Sequence, residues 1–553
     1  MKLRISILCL FVGVVFNLHS QKVTILADDY KQKFEGGGAT CGLYLAAYNS
    51  MTEENQLLAS KMLYEDIHLN YIRFFPQPTD EDQRFDFFAN FVNKAKVYNP
   101  SAKVMICTNS LPERFTKIEK RKPTPDLSIP GVLDSISNYY YKVFSKIKAR
   151  GIDIDYLEPL NEPKQNEGTL ALLIEVVPKF KALLNDPERN LNNIKVPLVI
   201  GPSTWSTASP SDWIPQLKER SDGVGWNNLD VVSTHAYQRG TIDNYKRAIA
   251  MAEGKPFFNN EQTAKLQRDE DPGVDVLAEQ FPEKGSNPVH VDDVSIAMRM
   301  SDLINAGGNA FFHFLTNNTR NNNAALLFTK FRGEPKKGPT YNGFRQVSSI
   351  QPKNSNRVGH ITTDTENFRV VTLRHPDDPN KIYLHVTNLY PEEKELNVDL
   401  QNQLGESMVI KELKAIVSDE TYDFETLLET AYSETVNSFD FTITGHSVNS
   451  FVITVEPNTV LSLDDREKAD NGFIKIFPNP TKNVVTITGD FNWEKSEIIV
   501  SDISSKVFSN IQFQPEKISD NSIKISTTSW SPGIYLVTIR SDQKSIVQKI
   551  IKI

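Results

Sequence analysis

The sequence has little cysteine, three residues in 553. Cys9 lies inside an apolar N-terminal run, which leaves Cys41 and Cys107, and no pair has the spacing of a metal site. A disulfide-dense scaffold is excluded. An exported chain could still join the remaining two, but both sit beside apolar runs of strand character, where small buried thiols are common. Long hydrophobic runs are missing as well. The longest, residues 5–16, falls short of the ~20 residues that a spanning helix needs. No G-x-S-x-G elbow is present, and Gly36 to Gly38 lack the Lys and Ser/Thr spacing of a phosphate loop. There is no surplus of positive charge either. With 61 Lys and Arg against 69 Asp and Glu, the net charge is −8, which excludes a whole-protein electrostatic grip on nucleic acid.

What is present is ordinary globular material: 39% hydrophobic and 24% charged residues, with 31 Phe, 18 Tyr and 5 Trp. The length predicts three or four domains. Residues 1–20 read as a secretory signal peptide, with Lys2 and Arg4 ahead of the apolar run and Leu18 and Ser20 before Gln21. The mature chain is expected to be secreted or held at the cell surface, with no membrane span.

From Phe34 to Ile350 short apolar runs alternate with helical periodicity, the signature of repeated βα units. Eight strands are expected: 33–37, 70–74, 103–108, 154–160, 197–201, 229–235, 256–260 and 309–314. Helices are expected near 52–66, 80–97, 131–149, 169–184, 211–219, 242–253, 290–305 and 340–350. This is the count and length of a (β/α)8 barrel over residues 21–352, with a doubly wound open sheet as the alternative. Period-two strands follow and predict a β-sandwich over 353–458, to which residues 23–27 add a strand. A polar linker spans 459–473 and a small β domain spans 474–553.

The barrel hypothesis directs attention to the residues that close each apolar run, because barrel sites form at the C-terminal ends of the strands. Strand four ends EPLNEPK, which places Asn161 and Glu162 at its exit, and strand seven ends PFFNNEQT, which places Asn260 and Glu261 there. Those exits face each other across the barrel mouth. Two such glutamates suit a glycosidase in which one carboxyl protonates the leaving oxygen while the other attacks the anomeric carbon. Each would shift the other's proton affinity, giving the attacking group the lower pKa. Glu158, two residues before Leu160, lies deeper in the strand and is the weaker candidate for the acid. No His/Asp/Glu cluster has clear metal spacing, so no metal or cofactor is expected.

Asn161, Glu162 and Pro163, with Glu261 three strands later, resemble the signature of clan A glycoside hydrolases. The resemblance covers about residues 30–456 and is similar to family 30 and equally to the agarases and porphyranases of family 86. It implies that Glu162 is the acid/base and Glu261 the nucleophile, that Arg73 at the end of strand two steadies the nucleophile's charge, and that Asn161 binds the sugar 2-hydroxyl. His235 and Tyr237, closing strand six, would hydrogen-bond near strand seven. Asn260 and Trp205 are expected to bind substrate. The departure is strand eight, which offers His313 where the clan often has tryptophan. A barrel that kept its cleft and lost its chemistry, binding carbohydrate without cutting it, is the competing reading.

Trp205, Trp213 and Trp226 fall in or near the loops after strand five, and flat rings suit sugar faces, although core packing explains any one of them. The loop after strand three carries Arg114, Lys117, Lys120, Arg121 and Lys122, and the loop after strand seven carries Lys265 and Arg268. A basic rim of this kind fits a sulfated or uronic-acid polysaccharide, such as an agar- or porphyran-type galactan; a plain solvated face is the alternative. A β-1,6-glucan or xylan substrate is also open. Near the C-terminus, FPNP (Phe477 to Pro480), GIYLV (Gly533 to Val537) and the basic-apolar end KIIKI resemble the sorting domain of the type IX secretion system. That resemblance implies the secretion machinery as a partner and removal of the domain at the cell surface.

Overall fold

A computed structural model describes residues 21–456 apart from 80, 120–121, 239, 266–276, 278–279, 281–288, 366 and 402–407. It also describes residues 475–552 apart from 480, 489–496, 503–506, 509–515, 520–521 and 542–543. The expected signal peptide and linker lie outside these residues, as do Lys120, Arg121 and Arg268. The chain forms two compact units, divided after Pro457.

In the first unit eight parallel strands close on themselves: Gly36–Thr40, Tyr71–Phe74, Lys103–Cys107, Tyr156–Glu158, Leu198–Ser206, Val231–Gln238, Phe257–Gln262 and Ala310–Asn318. Closure comes from the eighth, which pairs with the seventh on one side (Phe258 with Ala310) and the first on the other (Ala310 with Gly36). A barrel, not an open sheet, is therefore the fold. Helices stand at all eight of the expected places, among them Val132–Lys148, Ile242–Met251, Val289–Ala306 and Tyr341–Ser349. Val132–Lys148 shows why they form. Val132, Ile136, Tyr140, Val143, Phe144 and Ile147 recur at three- and four-residue steps and are buried, while Asp134 and Lys146 with Lys148 complement the helix dipole at opposite ends.

The strands divide the barrel interior into two levels. The lower is a plug of Tyr71, Met105, Tyr156, Ile200, Val231, Phe258, Ala310 and Phe312. The plug needs a glycine on strand one, because a Cβ at Gly38 would lie 2.5 Å from the Phe312 ring. That packing is the use of a glycine run that carries no phosphate-binding signal. The upper level is polar and forms the site described below.

The first strand begins later than expected. Gln21–Phe34 is a 14-residue strand of the second sheet, so only Gly36–Thr40 enters the barrel, and the barrel span of 21–352 is shortened at its start. The second sheet has nine strands, in the order Asp423–Val436, Val409–Ser418, Ser447–Glu456, Lys381–Asn388, Phe368–Arg374, Ser355–Thr362, Gln21–Phe34, Lys394–Gln401 and Ser438–Ile443. One core, with Val23, Ile25, Val370, Leu384, Val398, Leu413 and Phe451, draws residues from both ends of that order, which makes it a sheet folded over itself. It is fixed to the barrel by buried polar contacts: Arg369 Nε to Asp302 Oδ1 at 2.7 Å, Gln346 Nε2 to the Ile416 carbonyl at 2.6 Å, and His385 Nε2 with Gln351 Oε1 at 2.8 Å. The second unit has two four-stranded antiparallel sheets enclosing Val485, Ile487, Val500, Ile525, Trp530, Val537 and Ile550.

Candidate active site

Arg73 organises the upper level of the barrel. It is completely buried, and its Nε and Nη2 donate to the two oxygens of Glu158, each at 2.9 Å. Nη1 meets Glu261 Oε2 at 2.5 Å and Thr40 Oγ1 at 3.1 Å, while Nη2 also reaches Asn161 Oδ1 at 2.9 Å. A buried guanidinium is tolerated only where carboxylates and hydrogen bonds surround it, and strands one, four and seven supply them. Burial alone would raise the Glu158 carboxyl, but Arg73 and His235 outweigh it and hold it at about 2. Glu158 is thus a fixed anion. Asn260 donates to it at 2.9 Å and to Ser203 Oγ at 2.9 Å, and it lies beneath the site instead of lining the cleft.

Above this base, Glu162 and Glu261 face one another with His235 between them. An oxygen of each carboxylate and a ring nitrogen of His235 all lie within 4.8 Å of one another. His235 Nδ1 is 3.1 Å from Glu162 Oε1 and 3.7 Å from Glu261 Oε1. Burial disfavours its charged form, but Glu261, Glu158 and Glu162 overcome this and raise it to about 9. Tyr237 donates to Glu261 Oε1 at 3.1 Å. Burial and the Glu261 charge push the Tyr237 hydroxyl well above its usual value, so it remains a donor.

Backbone strain gathers at the same place. Glu162, Ser203 and Ala236 have φ of 45°, 52° and 52°, and the Glu162 N–H donates to the Ser203 carbonyl at 3.1 Å. Side chains held in the left-handed region need a surrounding structure that enforces them. Ala236 follows His235 directly, so the strained turns sit where strands four, five and six deliver their side chains to the cleft.

One expectation about Glu162 is not met. A general acid is expected with a raised pKa, whereas here burial is outweighed by His235 and Lys122, and the carboxyl is held below its ordinary value. Lys122 Nζ lies 3.4 Å from Glu162 Oε2, on a two-stranded hairpin (Thr116–Glu119 and Lys122–Pro125) where a plain loop was expected. The group of Glu162, His235 and Glu261 also has metal-ligand proximity that the sequence spacing did not disclose. Arg73 and Lys122 already occupy these carboxylates.

The cleft has a volume of about 540 Å³, and its walls include Asn161, Glu162, Trp205, Tyr237, Glu261, Phe75, Lys265 and Arg299. Trp205 is 43% exposed and stacks on Tyr237 with ring centroids 4.3 Å apart. The other two tryptophans are elsewhere. Trp213 is core, and Trp226 lies under the ammonium groups of Lys218 and Lys255.

His313 is a correction. It faces the helix layer, with Nε2 3.0 Å from Thr340 Oγ1 and its ring against Phe344, and burial lowers it to about 3. Side chains alternate along a strand. Ala310 and Phe312 point into the barrel, so Phe311 and His313 point out, and Phe314 is the strand-eight residue that lines the cleft. Cys41 and Cys107 are both free and buried, and Cys107 Sγ lies 3.2 Å from Arg73 Nη2. Of the expected basic rim, Lys122 and Lys265 reach the site, whereas Arg114 lines a separate groove with Lys142 and Lys146.

The fold is similar to that of solved family 30 glycoside hydrolases. A family 30 endoxylanase from Clostridium papyrosolvens C71 is similar over 78% of this chain and 100% of its own, at 16% identity and a TM-score of 0.58. The catalytic domain of xylanase C from Talaromyces cellulolyticus matches over 78% of this chain and 100% of its own (12%, 0.59). An endo-β-1,6-glucanase matches over 79% and 94% (14%, 0.55). No curated protein matches the sequence significantly. Residues 475–553 match the family described as the secretion system C-terminal sorting domain, so the chain carries the type IX address for the cell surface or the extracellular space. No helix among the described residues is long and apolar enough to cross a membrane.

Proposed function

We propose that this chain is a retaining endo-glycoside hydrolase acting on a β-linked polysaccharide, with Glu261 as nucleophile and Glu162 as acid/base. The observation that supports it is the approach of the two carboxylates to within 4.8 Å, atom to atom. A retaining enzyme holds its carboxyls about 5–5.5 Å apart, whereas an inverting one leaves about 6.5–9.5 Å for a water. Glu261 attacks the anomeric carbon as Glu162 gives its proton to the leaving oxygen. Glu162 then takes a proton from water, whose oxygen displaces Glu261 from the sugar.

The depressed Glu162 is reconciled by its partner. His235 and Glu162 share a short contact, and the pair carries one proton: imidazolium beside carboxylate in the empty cleft, imidazole beside carboxylic acid once sugar excludes water. The pair returns to its first state when the water proton arrives. Arg73 keeps Glu261 ionised and aimed, and Asn161 offers its amide to the 2-hydroxyl, a contact that tightens in the transition state.

The test is the anomer first released from a panel of xylan, β-1,6-glucan, agar and porphyran, followed by NMR. Retention is expected, and an inverted hemiacetal would sink the double displacement. Rescue of Glu261→Gln by azide, giving a glycosyl azide of inverted configuration, checks the nucleophile. Xylan and β-1,6-glucan lead the panel on the neighbours' names, and galactan stands on the basic residues alone. The depressed Glu162 is what favours the competing reading, a carbohydrate-binding protein without turnover; oligosaccharide binding with no new reducing ends would decide for it.

A further inference from the structure

The cleft wall beyond Glu261 is positively charged and, among the described residues, has no counter-ion. Arg299, on the helix Val289–Ala306, is only 8% exposed and lines the cleft. Its Nη2 donates to the Lys265 carbonyl at 3.0 Å. Its Nη1 donates to Gln262 Oε1 at 3.0 Å when that amide is oriented so that its nitrogen serves the Ala236 and His235 carbonyls. Nε has no partner. Among the described residues no carboxylate pairs with Arg299 or with the exposed Lys265 beside it.

This contrasts with every other deeply buried arginine of the barrel and its sandwich contact. Arg73 has two carboxylates, and Arg369 has Asp302. A guanidinium kept from water without an anion is costly, and its neutral hydrogen bonds do not offset the missing charge. The two acids of the cleft are committed, Glu261 to Arg73 and Tyr237, and Glu162 to His235 and Lys122.

We propose that Arg299 and Lys265 form a subsite for an anionic substituent, a sulfate or a carboxylate, on the sugar chain that the cleft holds. Planar guanidinium forks fit both oxyanions, and a neighbouring ammonium adds charge without demanding geometry. The inference rests on the polysaccharide reading above and narrows it to anionic glycans.

The test uses matched pairs of polysaccharides: a sulfated galactan with its desulfated form, and a glucuronic-acid-bearing xylan with its carboxyl-reduced form. Binding to the full chain made inert by Glu261→Gln is measured by calorimetry at two salt concentrations, and cleavage is measured with the unaltered chain. The charged member of one pair is expected to bind ten-fold or more tighter than its stripped form, with a preference that shrinks as salt rises. The pair that shows this distinguishes sulfate from carboxylate. Arg299→Met in the inert background should bring the ratio close to one, and Arg299→Lys should keep part of it. If Arg299→Met fails to fold, the ratio and its salt dependence in the parent chain decide. Equal binding within both pairs overturns the subsite and, when a neutral glycan is still cut, leaves the hydrolase reading standing. A charge preference with no cleavage of any glycan does the reverse.

Discussion

The two levels inside the barrel are built on the same strands, and one or two residues separate them. Tyr71 precedes Arg73, Tyr156 precedes Glu158, and Phe258 precedes Asn260. The lower residues make an apolar plug and the upper ones an ion network, all of them almost fully excluded from water. The plug is held mainly by packed apolar area, with the Tyr71 hydroxyl donating to Glu35. The network is held by pairing, so each member depends on the others, and its charges remain available to a substrate that enters from above. Stability and reactivity are thus divided by depth within one scaffold.

The division can be broken at its most reactive point. Glu261→Gln should lower kcat by on the order of 10⁴-fold or more at a smaller cost in stability than Glu158→Gln, since Arg73 keeps both oxygens of Glu158 and the amide oxygen still accepts from Tyr237. Loss of the fold instead would mean that the two levels are not separable.

Next in size are two changes of matched cost and opposite character. Phe312→Ala removes a ring from the plug and should cost about 3–5 kcal/mol. Glu158→Gln leaves Arg73 short of an anion and should cost a similar amount, about 3–5 kcal/mol. Denaturant unfolding measures both. The kinetics separate them, because Phe312→Ala should keep the parent's pH profile well below its melting temperature and Glu158→Gln should not.

The pH dependence of stability sharpens the comparison further. His235 has a folded value of about 9 against an ordinary 6.5, so its contribution is complete below 6.5 and is lost as pH rises through 9. Glu158, at about 2 against 4.5, contributes above 4.5 and loses that contribution as pH falls towards 2. The melting temperature should therefore decline on both flanks, and His235→Asn should flatten the alkaline one. An alkaline flank that survives this substitution would place the titrating group outside the upper level.

How much of this was legible follows from what each strand's pattern encodes. Runs that end in a polar cluster, such as LEPLNEP and FFNNEQ, announce the level at which the barrel opens, and Glu162, Glu261, Arg73, His235 and Tyr237 are all found that way. In the run NAFFHF the polar residue nearest the exit, His313, faces the helix layer, so His313 and Phe314 exchange places in a reading without coordinates. Arg299 was invisible for another reason. It lies inside the helix Val289–Ala306, whose described side chains are almost all buried, and its contacts with Gln262 and the Lys265 carbonyl beyond strand seven are what place it in the cleft wall. Gln21–Phe34 belongs to a sheet whose other strands come more than 300 residues later, a pairing that no local pattern states.

The smallest expected effect concerns a charge that reaches the catalytic pair from a hairpin outside the barrel strands. Lys122 on its hairpin is half-exposed and holds Glu162 down together with His235. Lys122→Met removes one of the two stabilisers of the carboxylate, so the folded pKa of Glu162 moves up. Turnover needs the one proton that the His235–Glu162 pair carries in the free enzyme and falls as that proton is lost; without the Lys122 charge the pair holds it more tightly, hence the alkaline limb of kcat/KM should move to higher pH. An exposed pair of this kind is worth about 0.2–1 kcal/mol, which limits the displacement to a few tenths of a pH unit. A limb that stays in place would assign the control of Glu162 to His235 alone, and a limb that moves to lower pH would contradict the acid role itself. Because Lys122 stands clear of the buried network, its removal should leave the unfolding midpoint unchanged, which makes it the cleanest separation of the cleft's chemistry from the barrel's stability.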